Sequence, residues 1–427
     1  MYWRVAIVLL FILPAGCSRF NNPEIPASAV EMVDIEVADT DWPWWRGKNR
    51  DGHASDQDVP TTWSTEKNIL WKTDLPGRGH SSPAIWANRI FLTTADDQSQ
   101  RQQLLCLNRQ SGTIEWTRTV HEGGFMRMHS KNSQASASPA CDADRVYVVF
   151  NNDGAIVATA YNHDGELAWR KSVGNFRSKH GYGSSPVLFQ SLLIVAGDND
   201  QAGFIAALDR KTGELVWRKS RPNEDTYATP VVARVAGRDQ LLISGAGIVA
   251  SYNPVTGEEL WRCSGPTATC ANTVAFFDDY VIASGGYPDK EILCIRADGR
   301  GDVTDSHIVW RSRNGVTYVP SPVCHNGLVY IVNDNGIATC FEGRSGNQLW
   351  SQRLGGSFSA SPVLVKDKLY VPDETGKLFV FKAGRQFELL AQNDLNDGGF
   401  ASPVICGNRI YLRTLHALYC IGEKSTQ

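Results

Sequence analysis

Cationic, imidazole, amide and aromatic side chains recur at one place in this chain, a few residues before a Ser-Pro step or its counterpart. The side chains at this place are Arg78, His80, Lys131, Asn132, Gln134, Lys179, His180, Tyr182, Tyr227, Asn272, Tyr318, Phe358 and Phe400. The cations can bind a carboxylate or a phosphate, and the tyrosines can stack or form hydrogen bonds. Gathered by the fold, they predict a funnel for a small anionic or aromatic ligand, or for a peptide. The alternative is the wet mouth of a structural channel.

Other residue types that could carry chemistry lack the required spacing. The chain contains no His-Glu-x-x-His, no Gly-x-Ser-x-Gly and no phosphate-binding loop. Two acidic turns, one with Asp298, Asp302 and Asp305 and one with Asp198 and Asp200, lack the ligand spacing of a calcium loop and indicate solvated hairpin tips. The sequence therefore predicts no catalytic residue and no metal site.

The ten cysteines favour a structural role. No Cys-x-x-Cys zinc or haem spacing occurs, and no two cysteines are adjacent. Most of them fall at repeat positions typical of small core residues. Cys263 and Cys270 flank a Gly-Pro turn, so a disulfide between them stays open in an oxidising compartment.

An internal repeat sets the organisation of the chain. Its units begin at a Ser-Pro or Thr-Pro step and often end in Gly-x-x-x-Trp, with a mean spacing of about 46 residues. The positions aligned on the proline are Pro83, Pro139, Pro186, Pro230, Val274, Pro322, Pro362 and Pro403. Each unit shows four short strands separated by polar or glycine turns. The sequence predicts an all-β fold, an eight-bladed β-propeller of four-stranded blades over residues 76–427.

The eighth unit supplies three strands and lacks a tryptophan strand. Residues 68–75, "NILWKTDL", carry Trp71 and lie before the first unit, so they predict the strand that closes the ring. The segment 41–75 is then an N-terminal clasp. The tryptophans of "DWPWWRGKNRDG" are expected to pack rather than to bind a ligand, with Arg46 and Asp51 forming a local ion pair.

The strand ending "ALDRKTGELVW" resembles the tryptophan-docking motif of the quinoprotein, or PQQ-like, propellers, and "CLNRQSGTIEW", "SYNPVTGEELW" and "CFEGRSGNQLW" are similar to it. An Asp or Asn caps the turn, a glycine takes its left-handed position, and the tryptophan packs between blades. The expected docking tryptophans are Trp71, Trp116, Trp169, Trp217, Trp261, Trp310 and Trp350.

The resemblance implies two known branches. Quinoprotein dehydrogenases carry PQQ, calcium held by Glu, Asn and Asp, and two adjacent disulfide-bonded cysteines; the other branch is an eight-bladed lipoprotein that assists outer-membrane protein assembly. Because adjacent cysteines are missing, we expect no cofactor and a non-enzymatic binding or scaffold module of the cell envelope. A PQQ-dependent dehydrogenase with calcium and a structural component of outer-membrane protein assembly remain the alternatives.

The N-terminus predicts export. Residues 1–17 combine Arg4, an apolar run too short to span a bilayer, and Ala-Gly before Cys17, which indicates a signal peptide with a lipobox and lipidation of Cys17. Residues 18–40 are expected to form a flexible tether. A net charge of −3 excludes a nucleic-acid footprint. We expect a monomeric periplasmic or outer-membrane lipoprotein, attached to the membrane by its lipid alone, with a protein, peptide or small-molecule partner.

Overall fold

The computed structural model describes residues 23–423, which form eight β-sheets arranged as the blades of a propeller. The predicted all-β, eight-bladed fold is confirmed. The N-terminal strand β1 (Ile69–Asp74) belongs to the last blade, and one 3-10 turn, Ala27–Ala29, precedes it. Blade 1 contains β2 (Ala84–Trp86), β3 (Arg89–Asp96), β4 (Arg101–Asn108) and β5 (Ile114–Glu122). Blade 2 contains β6 (Ala140–Cys141), β7 (Arg145–Asn152), β8 (Ala155–Asn162) and β9 (Leu167–Asn175).

The next three blades follow the same order, except that one strand crosses to its neighbour. Blade 3 contains β10 (Val187–Phe189), β11 (Leu192–Gly197), β12 (Phe204–Asp209) and β13 (Leu215–Ser220). Blade 4 contains β14 (Val231–Val235), β15 (Arg238–Gly245), β16 (Ile248–Tyr252), β17 (Glu259–Ser264) and, from the chain of blade 5, β21 (Gly301–Asp302). Blade 5 contains β18 (Ala275–Phe277), β19 (Tyr280–Gly285), β20 (Glu291–Arg296) and β22 (Ile308–Ser312).

The last three blades complete the ring. Blade 6 contains β23 (Val323–His325), β24 (Leu328–Val332), β25 (Ile337–Glu342) and β26 (Gln348–Arg353). Blade 7 contains β27 (Val363–Val365), β28 (Lys368–Pro372), β29 (Lys377–Lys382) and β30 (Leu389–Asp394). Blade 8 contains β31 (Val404–Cys406), β32 (Arg409–Arg413), β33 (Ala417–Ile421) and β1.

Burial falls from the centre of each blade to its outer edge. In blade 3 every residue of β11 is buried, whereas the outer strand β5 of blade 1 alternates between exposed and half-buried residues over most of its length. Inner strands read as apolar runs because both of their faces pack against neighbouring blades. The core is therefore divided into layers between blades.

The N-terminal strand closes the ring as the sequence predicts. Strand β1 pairs antiparallel with β33, and Trp71 lies opposite Cys420. The indole N–H of Trp71 donates to the carbonyl of Arg109 in blade 1 at 3.2 Å. Blade 8 is thus completed by the start of the chain and is joined to blade 1.

Most of the expected docking tryptophans make one repeated contact. Six of them donate their indole N–H to a backbone carbonyl in the next blade; the acceptors for Trp71, Trp116, Trp169, Trp217, Trp310 and Trp350 are Arg109, His163, Arg210, Pro254, Gly343 and Gly384, at 2.8–3.2 Å. The ring of Trp217 also covers Gly257, which has φ +68°. A Cβ at Gly257 would stand 2.6 Å from that ring, so the glycine is required by both conformation and space.

Trp261 departs from this pattern. It is fully buried, and its indole N–H donates to the side-chain carbonyl of Gln240 in its own blade at 2.7 Å. The insertion after β20 explains the difference, because β21 pairs in parallel with β17 and lies along the outer edge of blade 4. The long turn predicted as a solvated tip thus adds a fifth strand to its neighbour.

A chain of hydroxyl contacts links the inner strands around the axis. In most blades the residue before the repeat proline is a serine or threonine whose hydroxyl accepts from the backbone N–H of its equivalent in the preceding blade, at 2.8–3.0 Å. The two runs are Ser82–Ser138–Ser185–Thr229 and Thr273–Ser321–Ser361–Ser402. The hydroxyl of Ser82 donates to the carbonyl of Ser402 and joins the two runs at one side.

The clasp seals one mouth of the central channel. Its residues hydrogen-bond to the inner-strand region of seven blades; the contacts are Trp42 to Ile85, Pro43 to Cys141, Arg50 to Leu188, Trp45 to Thr273, Arg46 to Pro322, Ala54 to Leu364 and Gln57 to Ile405. Small voids lined by Trp45 border prolines of blades 3, 4, 7 and 8, which places this ring near the axis. The clasp is a hub for the whole ring.

The expected ion pair within the clasp takes another form. Arg46 donates to the backbone carbonyls of Asp51, at 2.8 Å, and Pro322, at 2.6 Å, whereas the carboxylate of Asp51 accepts from the backbone N–H of His53. Burial lowers the pKa of Arg46 to about 10. Arg46 therefore serves chiefly as a buried donor to carbonyls.

The described part of the expected tether, residues 23–40, lies against the propeller. The backbone N–H of Ile25 donates to Leu215 at 2.8 Å, Val30 is buried, and Ile35 and Val37 pack on the core between blades 2 and 3. The sequence pattern of this stretch did not indicate these contacts. The signal segment 1–17 with Cys17 lies outside the described residues. Within residues 23–423 no helix has the length and apolar character needed to cross a bilayer.

Candidate functional site

A cavity of about 420 Å³ opens at the mouth of the channel opposite the clasp. We call it the funnel. It is lined by His80, His129, Lys131, Asn132, Ser136, His180, Gly183, Tyr227, Ala271, Tyr318, Val319, Asp334, Phe358, Ser359, Glu374 and Phe400. Its size lies within the range of small-molecule sites, which is roughly 300–1,000 Å³.

Every blade contributes the residue three positions before its repeat proline or the equivalent valine. These residues are His80, Ser136, Gly183, Tyr227, Ala271, Val319, Ser359 and Phe400, and all eight line the funnel. The residue one step closer to the proline is buried in each blade, as alternation along an extended backbone requires. The eightfold repeat thus fixes one ring of the funnel by position alone.

Eight of the thirteen side chains predicted to form the funnel line the cavity: His80, Lys131, Asn132, His180, Tyr227, Tyr318, Phe358 and Phe400. Asn132 supports the wall, since its amide donates to the carbonyl of His180 at 2.7 Å.

The other five candidates are not among the lining residues. Tyr182 is buried and donates to the carbonyl of Ala196 at 3.0 Å, which holds its ring within the core. Asn272 is fully buried two residues before Val274, and its amide donates to Thr317 and Tyr318 carbonyls. The prediction that these two face the funnel is wrong, because their side chains point away from the axis.

The two cations Arg78 and Lys179 are not among the lining residues. Arg78 donates to the carbonyl of Ser130 at 2.6 Å, and the side chain of Lys179 is exposed. Gln134 is also outside the lining and donates to the carbonyl of Met126. Of the four predicted cations and histidines other than Lys131, the lining that the described residues form therefore contains His80 and His180 but neither Arg78 nor Lys179.

His80 stays neutral near physiological pH. Burial, with the nearby cations Arg78 and Arg413, lowers its pKa to about 3. Its ring lies 4.3 Å from that of Phe400, and its Nε2 has no hydrogen-bond partner among the described residues. Protonation of this buried ring would also place a third cation beside Arg78 and Arg413.

Two stacked imidazole rings form another part of the funnel lining. The rings of His129 and His180 are stacked with centroids 5.4 Å apart, and the ring of Tyr227 lies 5.8 Å from His180. Burial and then His129 lower the pKa of His180. Burial likewise raises the pKa of Tyr227 and brings that of Tyr318 to about 12, so both phenols remain protonated.

Two carboxylates in the lining were not predicted. Glu374 accepts from the ammonium of Lys131, with both oxygens at 3.0 Å, and from the hydroxyl of Ser359 at 2.7 Å. Asp334 accepts from the backbone N–H groups of Tyr318, at 2.8 Å, and Val319, at 3.1 Å, while burial raises its pKa. Both acids lie in the turn between the second and third strands of a blade. The direction of the strands places that turn on the funnel face, so the order of strands in the sequence repeat could have predicted the position of these two acids.

The lining does not fit PQQ, the cofactor that the quinoprotein resemblance implies. PQQ is a polycarboxylate, and Lys131, the one lysine or arginine among the described residues of the lining, is already paired with Glu374. Asp334 and Glu374 would face the cofactor's own carboxylates, and like charges repel. No cluster of three or more potential metal-binding side chains occurs in the part of the chain that the structure describes.

The cysteines in residues 23–423 are buried free thiols. Burial raises the pKa of Cys263 to about 12 and of Cys270 to about 11. The disulfide that the sequence left open is not formed in the structure. These thiols belong to the core.

Known proteins share both the repeat and the ring. The family model described as outer membrane protein assembly factor BamB, a PQQ-like repeat family, matches residues 54–135, 100–300 and 299–414. The chain belongs to this family. A BamB of Yersinia pestis is 22% identical over 413 residues, which cover 88% of this chain and 98% of that protein.

Solved structures agree on the fold. BamB from Moraxella catarrhalis superposes with a TM-score of 0.60 at 14% identity, covering 84% of this chain and 98% of that chain. A europium-containing methanol dehydrogenase superposes with a TM-score of 0.65 at 11% identity, covering 90% and 91%. At such identities the likeness concerns the fold alone, and function must be argued from the site.

Proposed function

We propose that this protein is an exported, non-enzymatic scaffold of the bacterial cell envelope that binds a protein partner during outer-membrane protein assembly. The observation that carries the proposal is the match to the BamB family along residues 54–414, with a Yersinia relative covered almost end to end. We include in the proposal a lipid anchor at Cys17 and a location at the periplasmic side of the envelope.

The architecture supports a binding surface at the funnel face. The clasp hydrogen-bonds to seven blades at the other face, so that mouth is filled by the chain itself. The funnel face holds the open cavity and the turns with Asp334 and Glu374. A partner can therefore insert a side chain at this face without displacing any strand.

A deletion strain tests the assembly role. We expect lower amounts of folded outer-membrane proteins when the gene is removed, and recovery when the wild-type gene is restored. Unchanged amounts of all major outer-membrane proteins would contradict the role.

Crosslinking in the native envelope tests the surface. A photoreactive residue at Ser357 on the funnel face should capture the partner, whereas one at Asp58 on the clasp face should not. Capture from Asp58 alone would show that the partner binds the clasp side.

A further inference from the structure

The funnel combines aromatic rings with carboxylates. Tyr227, Tyr318 and Phe400 come from three different blade connections and line one cavity, whereas the ring of Phe358 beside them is fully buried. Asp334 and Glu374 line the same cavity from the turns of blades 6 and 7. Aromatic rings attract organic cations through their quadrupole, and a carboxylate adds charge and hydrogen bonds. This set of groups suits a guanidinium or ammonium group.

One cation already lies on the acidic wall. The ammonium of Lys131 is 3.0 Å from both carboxylate oxygens of Glu374. The side chain of Lys131 is 58% exposed, whereas that of Glu374 is 15% exposed. The carboxylate is therefore fixed in the wall, also held by Ser359. The lysine that covers it is the more mobile partner, because a long exposed side chain gains little by staying ordered.

The part of the lining around His80, where blades 8 and 1 meet, has the reverse character. Arg413 is 2% exposed and donates to Ser81 and to the carbonyl of Thr93, with no carboxylate among its hydrogen-bond partners in residues 23–423. It lies near enough to His80 to lower that imidazole's affinity for a proton, as does Arg78. A cationic ligand is therefore directed away from blade 1 and towards blades 6 and 7.

We propose that the funnel binds an organic cation, an arginine-like or lysine-like group held by Glu374 and Asp334 against the ring of Tyr318, in the place that the ammonium of Lys131 now covers. This ligand class follows from the lining and does not depend on the assembly role. The cation comes either from a side chain of a protein segment or from a free amine.

Titration with N-acetyl-arginine amide tests the site. Calorimetry or tyrosine fluorescence should show saturable binding to the wild-type protein. Glu374→Gln keeps the shape of the wall and should weaken binding about tenfold, the loss expected for ~1.4 kcal/mol. Lys131→Met frees the carboxylate and should strengthen binding by a similar factor. If the funnel bound an anion instead, Lys131→Met would weaken binding.

Lys366→Met is the matched control, because Lys366 also forms an ion pair, with Asp58 at 2.6 Å, but at the clasp face. It should leave the affinity unchanged. Melting temperatures of all variants show whether each one is folded. Weaker binding by Lys131→Met, or no saturable binding by the folded wild-type and Lys131→Met proteins, would overturn the proposal.

Two further titrations identify the source of the cation. An extended peptide with one central arginine that binds much more tightly than the amide would indicate a protein segment. Equal affinities would indicate a free amine as the ligand. The same peptide with citrulline in place of arginine should not bind, and binding of the two peptides with equal affinity would also overturn the proposal.

Discussion

The indole Nε1 of Trp45 donates a hydrogen bond of 2.9 Å to the hydroxyl of Thr273, although the two residues are 228 positions apart. This contact lies where the series of Ser and Thr hydroxyl links is interrupted, between Thr229 of blade 4 and Thr273 of blade 5. The clasp thus reaches the channel where the direct link between neighbouring blades is missing. A residue from the start of the chain stabilises the middle of the ring.

Replacing Trp45 by phenylalanine should measure how much the hydrogen bond to Thr273 contributes to the free energy of unfolding. A smaller phenyl ring replaces the indole and the N–H donor is lost, so the free energy of unfolding should fall by about 0.5–1.5 kcal/mol more than the smaller ring alone would cost. Trp63→Phe is the matched control, because Trp63 packs parallel to Tyr370 and its indole N–H has no partner in residues 23–423. Urea unfolding measures both variants. Equal losses would show that the hydrogen bond of Trp45 contributes nothing specific.

Two glycines separate conformational cost from packing cost. Gly257 and Gly237 have positive φ angles of +68° and +73°, but only Gly257 faces a tryptophan, and the space around Gly237 is open. Gly237→Ala should cost about 1–2 kcal/mol for the left-handed conformation alone. Gly257→Ala should cost at least about 1 kcal/mol more, since Trp217 has to move. Similar unfolding free energies for the two variants would contradict the proposed close packing of Trp217 on its neighbouring blade.

The stability should fall in mild acid. Burial is the main cause that lowers the pKa of His80 to about 3 and that of His121 to about 4, against an ordinary value of 6.5. Between about pH 6.5 and these values, both histidines are protonated in the unfolded chain but neutral in the folded chain. The free energy of unfolding therefore decreases as the pH falls through this window. Each proton contributes up to about 1.4 kcal/mol per pH unit.

His80→Gln removes one of these protons and should flatten the dependence of the unfolding free energy on pH between about 6 and 4.5. His121→Gln should act in the same direction. If the slope of either variant equals that of the wild-type protein, the corresponding histidine is protonated in the folded state.

The fold could be predicted because its signals are local and repeated. A proline at the start of most inner strands and a Gly-x-x-x-Trp ending in several units appear within single units, so most blade boundaries can be recognised locally. Trp261 shows the limit, because its partner Gln240 depends on an insertion that folds onto another blade.

The funnel could be predicted only in part, because a side chain's direction depends on its exact distance from the proline. The position three residues before the repeat proline is occupied by His80, Tyr227 and Phe400 in three of the blades. In other blades it is occupied by small residues, which were not predicted because their side chains did not suggest a binding role. Asn272 is one residue closer and points into the core. Glu374 was missed because only the acidic turns with Asp198 and with Asp298 were considered, and they were judged by their spacing as calcium loops and not by the face on which they lie.

The orientation of the propeller on a membrane follows if Cys17 carries a lipid. Ile25 is hydrogen-bonded to Leu215 of blade 3, and the eight or so residues from Cys17 to Ile25 can span at most about 29 Å. The edge of blade 3 should therefore stay near the bilayer surface, while blade 7 lies across the ring.

Mass spectrometry of the membrane fraction should first identify an acylated peptide that begins at Cys17. Fluorophores attached at Lys211→Cys in blade 3 and at Arg385→Cys in blade 7, both exposed turn positions, then report the distance to a headgroup quencher in vesicles. We expect stronger quenching at position 211 for the acylated protein, and weak, equal quenching at both positions for a Cys17→Ser protein. Equal quenching of the two sites in acylated protein would show that the N-terminal segment leaves blade 3 at the membrane.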